Sequence, residues 1–285
     1  MGYLYLSAAH KSSGKTTVSI GLCAALAVRK GLRVQPFKKG PDYIDPLWLG
    51  AAAGNPCYNL DVFMESPEAN TRLFQSHMQD ADIGLIEGNK GLFDGISTDG
   101  SDSNAAMANL LGAPVVLVID TRGITRGIAP LLHGYATFDA EVEIAGVILN
   151  QVGGSRHESK LRNAVETYTD IPVLGAVGKS SDLVIDERHL GLMPSNEHDE
   201  AQQVIARIAN AVAEGVDLDR LIAIAGTAPE ITPVPVTADL PVADVKIGVA
   251  KDAAFGFYYA GDLQALRNAG AEIVWFDAIN DATLP

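Results

Sequence analysis

Apolar runs of strand length alternate with amphipathic runs of helix length along most of the chain. The apolar runs predict strands near residues 2–7, 32–37, 82–87, 113–119, 144–150 and 172–177. The intervening runs predict helices near 15–30, 67–79, 103–111, 126–137 and 156–169. Segments such as 113-APVVLVID-120 are apolar on both faces of a strand, so helices must cover both sides of the sheet. The pattern predicts an α/β fold with a parallel sheet between two helix layers.

The pattern changes after a helix near 199–214. Segment 226–244 contains four prolines and is typical of an extended linker. A strand near 245–250, a helix near 259–269 and a strand near 271–276 follow. Two strands and one helix are too few to bury a core of their own. We therefore expect a main domain over 1–225, a linker over 226–244 and the beginning of a second α/β unit over 245–285.

Composition and charge narrow the classes of function. The formal net charge of the 285 residues is −14, which disfavours nucleic-acid and membrane-surface partners. No apolar run approaches the roughly 18 residues that span a bilayer, and the N-terminus lacks a leader pattern. Only Cys23 and Cys57 are present, so neither a disulfide framework nor a zinc site is expected. We expect a cytoplasmic protein, with a homodimer as the candidate assembly.

The stretch 9-AHKSSGKT-16 lies between the first predicted strand and the first predicted helix. Its spacing, A-x-x-x-x-G-K-T, is that of a phosphate-binding loop, with Ala9 in place of the usual first glycine. Alanine fits that position only if its φ is negative. Lys15 would neutralise the β- and γ-phosphates, and Thr16 would bind Mg²⁺. The expected nucleotide-binding residues of the loop are Ser12, Ser13, Gly14, Lys15, Thr16 and Thr17. The alternative is a chance Gly-Lys-Thr in a turn.

Two further loops are expected at the same carboxyl edge of the sheet. In 37-FKKGPDYIDP-46, Lys38 is a candidate for the transferred phosphate and Asp42 for Mg²⁺, while Tyr43 and Asp45 are candidates for a second substrate. The alternative is a solvated turn in which Asp45 is the N-cap of a helix with Pro46 at its first position.

The second loop, in 82-DIGLIEGNKGLFDG-95, follows an apolar strand. Glu87 at the strand end is the expected second Mg²⁺-organising carboxylate. Asp94 is a candidate for orienting a substrate carboxyl or ammonia, or else an ordinary turn residue. Asn150 ends a later strand, where its side-chain amide offers both a donor and an acceptor for the edge of an adenine base. The alternative is an ordinary turn asparagine. His189 is expected to be structural.

Several of these stretches, taken together, resemble the cobyrinic acid a,c-diamide synthase family. They are FKKGPDYIDP, EGNKGLFDG, SDSNAAMANLLGAPVVLVID, GVILNQVGGSRH and ERHLGLMPS. That family joins an ATP domain like that of dethiobiotin synthetase to a class I glutamine amidotransferase domain, whose beginning 246-KIGVAKDAAFGFYYAGDLQALRNAGAEIVWF-276 resembles. The resemblance covers nearly the whole chain.

The resemblance implies an ATP- and Mg²⁺-dependent ligase that converts two tetrapyrrole carboxylates to amides through an acyl phosphate, with ammonia from glutamine. It implies nucleotide contacts for Lys15, Thr16 and Asn150, Mg²⁺ contacts for Thr16, Asp42 and Glu87, and roles in substrate handling or catalysis for Tyr43, Asp45 and Asp94. The residues themselves make Lys15 and Lys38 further catalytic candidates and Lys39 a further substrate contact. Lys39, Lys90, Arg122 and Arg126 are candidate cations for an anionic macrocycle.

Two departures from the family pattern leave alternatives open. The family loop is closer to G-T-x-S-G-x-G-K-T, so a different macrocycle such as sirohaem is the alternative substrate. The family's glutaminase uses a cysteine and a histidine beyond residue 285, and neither Cys23 nor Cys57 lies in the second unit. We therefore expect a fragment, and a non-catalytic remnant stays a further alternative.

A nucleotide-switch ATPase is the rival from a different class. Such ATPases carry an extra lysine four residues before the second loop glycine, where this chain has His10, and Lys11 comes one residue too late. The shifted position of the lysine and the net charge of −14 both disfavour a nucleotide-switch ATPase.

Overall fold

The computed structural model describes residues 1–185, 187–188, 191–195, 200–233 and 244–285. His189 and most of the expected linker, residues 234–243, lie outside the described residues.

Seven parallel strands form the main sheet, in the order β3-β2-β4-β1-β5-β6-β7. They are β1 (Gly2–Ala8), β2 (Val34–Lys39), β3 (Tyr58–Leu60), β4 (Ile83–Glu87), β5 (Val115–Asp120), β6 (Ile144–Val152) and β7 (Val173–Gly178). Every neighbouring pair in this sheet is parallel. The prediction of a parallel α/β sheet is therefore confirmed.

Among the described residues, six helices of the main part lie between these strands along the chain, and two more follow β7. They are α1 (Lys15–Lys30), α2 (Ile44–Ala53), α3 (Pro67–Met78), α4 (Asn104–Leu111), α5 (Ile128–Phe138), α6 (Ser155–Tyr168), α7 (Ala201–Gly215) and α8 (Leu218–Ala225). A 3-10 turn (Ser181–Leu183) and a short antiparallel pair, β8 (Glu187–Arg188) and β9 (Gly191–Leu192), lie between β7 and α7.

Helices cover both faces of the sheet, as the apolar strands require. On one face α1, α2, α7 and α8 pack on side chains such as Leu4 and Leu6 of β1. On the other face α3 to α6 pack on the alternate side chains, such as Tyr3 and Tyr5. We call these the α1 face and the α4 face. They separate two cores and leave the carboxyl edge of the strands free for loops.

Besides the 3-10 turn, β8 and β9, the sequence patterns missed β3 and α8 and gave α2 only as an alternative. Strand β3 is only three residues long and lies at the edge of the sheet. Helix α2 begins at Ile44, inside the polar stretch 37-FKKGPDYIDP-46. Helix α8 has eight residues and begins at Leu218, after its N-cap Asp217, whose side chain accepts a hydrogen bond from Arg220 N. All three are too short for periodicity alone to identify.

The C-terminal residues form a separate parallel pair, β10 (Val245–Ala250) and β11 (Ala271–Phe276), joined by α9 (Ala260–Asn268). This unit contacts the main part through aromatic stacking, because the ring of Tyr43 lies 4.2 Å from that of Tyr259 and 5.7 Å from that of Phe257 between centroids. The division at 226–244 stays a prediction. Within the described residues, no helix combines the length and the apolar character that crossing a bilayer requires.

Candidate nucleotide and metal site

The loop between β1 and α1 has the conformation that a phosphate-binding loop needs. Gly14 is the N-cap of α1 with φ 78°, and Ser12 also has a left-handed φ of 64°. Ser13 Oγ donates to His10 O at 2.8 Å and closes the loop. No side chain caps the first N–H groups of α1, so these amides and the helix dipole can serve an anion.

Ala9 is compatible with this loop. It lies outside the left-handed region, which among the non-glycine residues of the described ranges only Ser12, Lys90 and Gln151 adopt. Its φ is therefore negative, as an alanine at that position of the loop requires. Ala9 is buried, and its carbonyl accepts a hydrogen bond from the hydroxyl of Tyr135 on α5.

A buried cluster of charged groups lies next to the loop, where β2 and β4 end. Lys38 and Glu87 are paired residues in the register of these two strands. Lys38 Nζ lies 2.6 Å from Glu87 Oε1 and 2.6 Å from Asp45 Oδ2. The hydroxyl of Thr16 lies 3.1 Å from the same Glu87 oxygen and 3.3 Å from the same Asp45 oxygen. Lys15 Nζ is 3.6 Å from Glu87 Oε1. Side chains from four elements, α1, β2, α2 and β4, thus converge on one point.

The two lysines of this cluster have opposite electrostatic environments. Burial lowers the pKa of Lys15, and the carboxylate of Glu87 only partly opposes this effect. Burial acts on Lys38 in the same sense, but Glu87, Asp45 and Asp42 together raise the pKa of Lys38 well above its ordinary value. Lys38 is therefore a fixed internal cation. Lys15 lacks a full counter-charge, and a bound phosphate would supply it.

The residues present fit a magnesium ion held jointly with a nucleotide. Glu87 is fully buried, and its Oε2 has no hydrogen-bond partner among the described residues. The described ranges hold no group of three or more His, Cys, Asp or Glu side chains arranged as a metal site. Mg²⁺ commonly uses one or two carboxylates and completes its shell with water and phosphate oxygens. Glu87 and Thr16 are suited to that mode of binding, with Asp42 at its edge.

Asp42, and not Asp45, accepts hydrogen bonds from the N-terminal amides of α2, which corrects the alternative in which Asp45 caps this helix. Asp45 is not the N-cap of α2, because it lies inside the helix and its carboxylate turns back to Lys38. Asp42 satisfies the helix N-terminus instead: its Oδ1 accepts from Ile44 N at 2.9 Å and from Asp45 N at 3.1 Å. Its other oxygen is 3.7 Å from Lys38 Nζ. The side chain of Asp42 is 32% exposed, so a metal-bound water can reach it.

The remaining candidates lie around this centre. Asn150 is buried, and its Nδ2 donates to Ser13 O at 2.8 Å, so it supports the phosphate-binding loop; its adenine contact stays a prediction. Asp94 is exposed and accepts from Gly91 N at 3.0 Å. Thr17 is half-buried on the first turn of α1. The ring of Tyr43 stacks on that of Tyr259 in the C-terminal unit.

Of the four candidate cations for a macrocycle, the two arginines have partners within the chain and the two lysines line a cavity. Arg122 forms a two-pronged ion pair with Asp120, and Arg126 lies over the ring of Tyr168 at 4.9 Å from its centroid. Lys39 and Lys90 both line one cavity beside the ends of β2 and β4.

Asn104 holds the glycine-rich loop after Glu87, and the sequence analysis missed it. Its Oδ1 accepts from Asn89 N at 2.9 Å and from the hydroxyl of Tyr5 at 2.9 Å. Its Nδ2 donates to Gly91 O at 2.6 Å and to Asn89 O. Asn104 begins α4, where an asparagine is ordinary, so no local signal distinguishes it.

The comparisons with known proteins agree with this geometry. The family described as "CobQ/CobB/MinD/ParA nucleotide binding domain" matches residues 8–192, which contain the loop and the whole charged cluster. The chain belongs to this family.

Curated relatives extend the similarity beyond the nucleotide-binding domain. The chain is 46% identical over 289 residues to the cobyrinate a,c-diamide synthase of Magnetococcus marinus, covering 99% of this chain and 62% of that protein. It is 42% identical over 287 residues to the enzyme of the same name from Dehalococcoides mccartyi strain CBDB1, with coverage of 99% and 62%. Identity to that of Listeria monocytogenes serotype 4b is 41% over 288 residues, with coverage of 100% and 64%. The chain thus spans less than two thirds of the length of these relatives.

Within this nucleotide-binding family, the loop geometry makes a direct prediction for Gly14. A Cβ at Gly14 would lie 2.1 Å from Asn150 Nδ2, and the left-handed backbone adds about 1–2 kcal/mol of strain. We expect Gly14→Ala to break the Asn150–Ser13 contact and to abolish ATP binding measured by titration calorimetry. Gly31→Ala is the matched control, because Gly31 has φ 67° but nothing within 4 Å. It should lose stability and keep ATP affinity; equal ATP affinity in both variants would contradict the role of the loop.

Proposed function

We propose that this chain uses ATP to activate peripheral carboxylates of a tetrapyrrole for amidation, with the a and c carboxylates of cobyrinate as the first choice of substrate. The observation that carries the proposal is the convergence of Lys15, Thr16, Lys38, Asp45 and Glu87 beside an uncapped helix N-terminus. Similarity to proteins named cobyrinate a,c-diamide synthase over 99% of the chain supports the choice of substrate.

The chemistry requires activation because ammonia does not displace the oxygen of a carboxylate. In the proposed reaction a substrate carboxylate oxygen attacks the γ-phosphorus of ATP, the bond to the β-phosphate oxygen breaks, and ADP leaves. Ammonia then attacks the carbonyl carbon of the acyl phosphate and loses a proton as the bond to phosphate breaks. The products are an amide and inorganic phosphate, and the protein contributes mainly position and charge.

The side chains of the cluster have distinct parts in this scheme. Lys15 and the first amides of α1 would hold the β- and γ-phosphates. Lys38 would face the phosphoryl group in transfer, and Asp45 and Glu87 keep its ammonium oriented. Mg²⁺, when bound at Thr16 and Glu87, would offset the charge on the phosphate oxygens. Asp94, Asp45 and Tyr43 are proposed to meet the tetrapyrrole or the ammonia.

The nitrogen source is proposed to be ammonia, which the family that this chain resembles takes from glutamine with a cysteine nucleophile. Cys23, on α1, and Cys57, after α2, are both buried in the core of the α1 face and are unsuited to that role. Free ammonium is therefore the donor used to test this chain.

The test supplies ATP, Mg²⁺ and ammonium with cobyrinate in one reaction and sirohaem in another, and mass spectrometry follows the replacement of a carboxyl hydroxyl by an amino group. Asp42→Asn and Asp94→Asn keep their backbone hydrogen bonds and remove the charge. Each should reduce product formation by about 100-fold or more, the usual effect of losing one group that positions or stabilises charge at the reacting centre. Exposed Asp80→Asn is the matched control and should keep full activity.

Three results would count against the proposal. Full activity of both Asp42→Asn and Asp94→Asn would remove their assigned roles. Amidation of sirohaem but not cobyrinate would replace the substrate. No amide from either ring with the wild-type chain, despite ATP binding, would favour a nucleotide-binding remnant.

A further inference from the structure

An unassigned groove lies on the α4 face of the sheet, beside the charged cluster. Its larger part has a volume of about 490 Å³, lined by apolar side chains that include Val62, Phe63, Ile96 and Leu110. A smaller part of about 90 Å³ shares Val62, Phe63 and Ile96 with it and continues to Lys39 and Lys90. The volume is in the range of about 300–1,000 Å³ that small-molecule sites have.

The walls of this groove expose apolar side chains to solvent. Phe63 and Ile96 are each 78% exposed. Two aspartates hold the backbone that presents them: Asp61 Oδ1 accepts from Phe63 N at 2.9 Å, and Asp102 accepts from Ile96 N at 2.7 Å. The exposure is therefore built into the two loops. Adjacent exposed apolar side chains of this size are typical of a binding surface.

The groove adjoins the phosphoryl-transfer centre because of strand alternation. Successive side chains of β2 point to opposite faces, so Lys38 meets Glu87 on the α1 face while Lys39 lies on the α4 face. Lys39 Nζ donates to Asp102 O at 2.5 Å at the floor of the groove. Lys90, three residues after Glu87, is exposed at the rim and has a left-handed φ of 43°. A ligand in the groove would thus lie across the ends of β2 and β4 from the charged cluster.

Charged groups of both signs face the groove. Lys39 and Lys90 face it together with the carboxylates of Asp61 and Asp102. Asp102 accepts hydrogen bonds from the amides of Ile96 and Ser97, and Asp61 Oδ1 accepts one from Phe63 N, while Asp61 Oδ2 is buried without a partner among the described residues. The ammonium of Lys90 has no such engagement in the described contacts. In a chain of net charge −14, a rim lysine beside two apolar walls suits a ligand with an apolar face and anionic edges.

We propose that this groove binds the macrocycle of the amidation substrate. Its apolar ring face lies against Phe63 and Ile96, and a peripheral carboxylate pairs with Lys90. The proposal rests on the function proposed above, since it names the seat of that substrate. The ring would be held on the α4 face while a second peripheral carboxylate reaches over the strand ends to the phosphate held beside Lys38.

The experiment compares two groove variants with two matched surface controls. The groove variants are the double variant Phe63→Ser/Ile96→Ser and the charge reversal Lys90→Glu. Val28→Ser removes an apolar side chain that is 79% exposed on α1, and Lys160→Glu reverses an exposed charge on α6. For each protein, cobyrinate binding is measured by absorbance titration without ATP, ammonia-dependent amidation by steady-state kinetics, and ATP binding by calorimetry.

We expect each groove variant to raise the Kd and KM for cobyrinate at least tenfold, with kcat, ATP affinity and melting temperature unchanged. The two controls should match the wild type. Unchanged Kd and KM in both groove variants would overturn the groove and leave the proposed function intact. Wild-type protein that binds cobyrinate in a groove-dependent way but forms no amide would instead overturn the function and leave the groove. Wild-type protein that binds neither cobyrinate nor sirohaem would overturn the groove.

Discussion

Replacement of Lys38 by methionine should lower the free energy of unfolding by about 3–5 kcal/mol, the range for removing one partner of a buried ion pair. Lys38 is 2% exposed and balances Glu87, which is fully buried, and Asp45. Methionine fills a similar volume and removes the cation that lies 2.6 Å from both carboxylates. Lys15 is only a partial substitute, because its Nζ lies 3.6 Å from Glu87 Oε1 and burial lowers its pKa. Urea denaturation followed by circular dichroism measures the change.

Two controls separate loss of the charge from loss of packing. The double variant Lys38→Met/Glu87→Gln removes both buried charges and should recover much of the lost stability. Lys30→Met breaks an exposed ion pair with Asp219 and should change stability by less than about 1 kcal/mol. If Lys38→Met were as stable as Lys30→Met, the buried cluster described here would be wrong.

The sign of the pH dependence follows from the raised pKa of Lys38. A group whose pKa is higher in the folded state stabilises it fully below its unfolded pKa, and that contribution disappears as pH rises through the folded value. The stability difference between wild type and Lys38→Met should therefore stay constant from neutral pH to about pH 10, near the ordinary lysine pKa, and shrink above it.

The sequence predicted the sheet well, because parallel strands covered on both faces have a strong local signature. The strands near 82–87 and 113–119 appear as β4 and β5 almost unchanged. Parallel strands place their carboxyl ends at one edge, so the meeting of Thr16, Lys38 and Glu87 was predictable once those strands were identified.

The parts that could not be predicted depend on contacts between distant segments. The choice between Asp42 and Asp45 as the cap of α2 depends on Lys38, which draws the Asp45 carboxylate away from the helix end. Asn104 acts through Tyr5, Asn89 and Gly91, none of which lies near it in sequence. The exposure of Phe63 and Ile96 likewise has no sequence signal, because an apolar residue in a loop is usually read as packed.

Lys15→Ala should reduce the rate of ATP-dependent amidation by about 100- to 1,000-fold, the usual effect of removing one group that stabilises charge in the transition state. Lys15 lies on the first turn of α1 and is buried, with a pKa lowered by burial, so it lacks a full counter-charge until phosphate binds. The measurement is kcat/KM for ATP at saturating ring substrate and ammonium. Stability should change little, since Lys38 remains to balance Glu87.

Lys11→Ala is the matched control, since it removes a lysine from the same loop without touching the site. Lys11 is exposed, and none of the described ion pairs includes it. In the amidation proposed here Lys15 is the loop lysine that holds the phosphates, together with the first amides of α1, Lys38 and Mg²⁺. Lys11→Ala should therefore keep its rate. A loss in Lys11→Ala as large as that in Lys15→Ala would contradict the assignment of the loop's phosphate contact to Lys15 and favour the switch class, which carries an extra loop lysine.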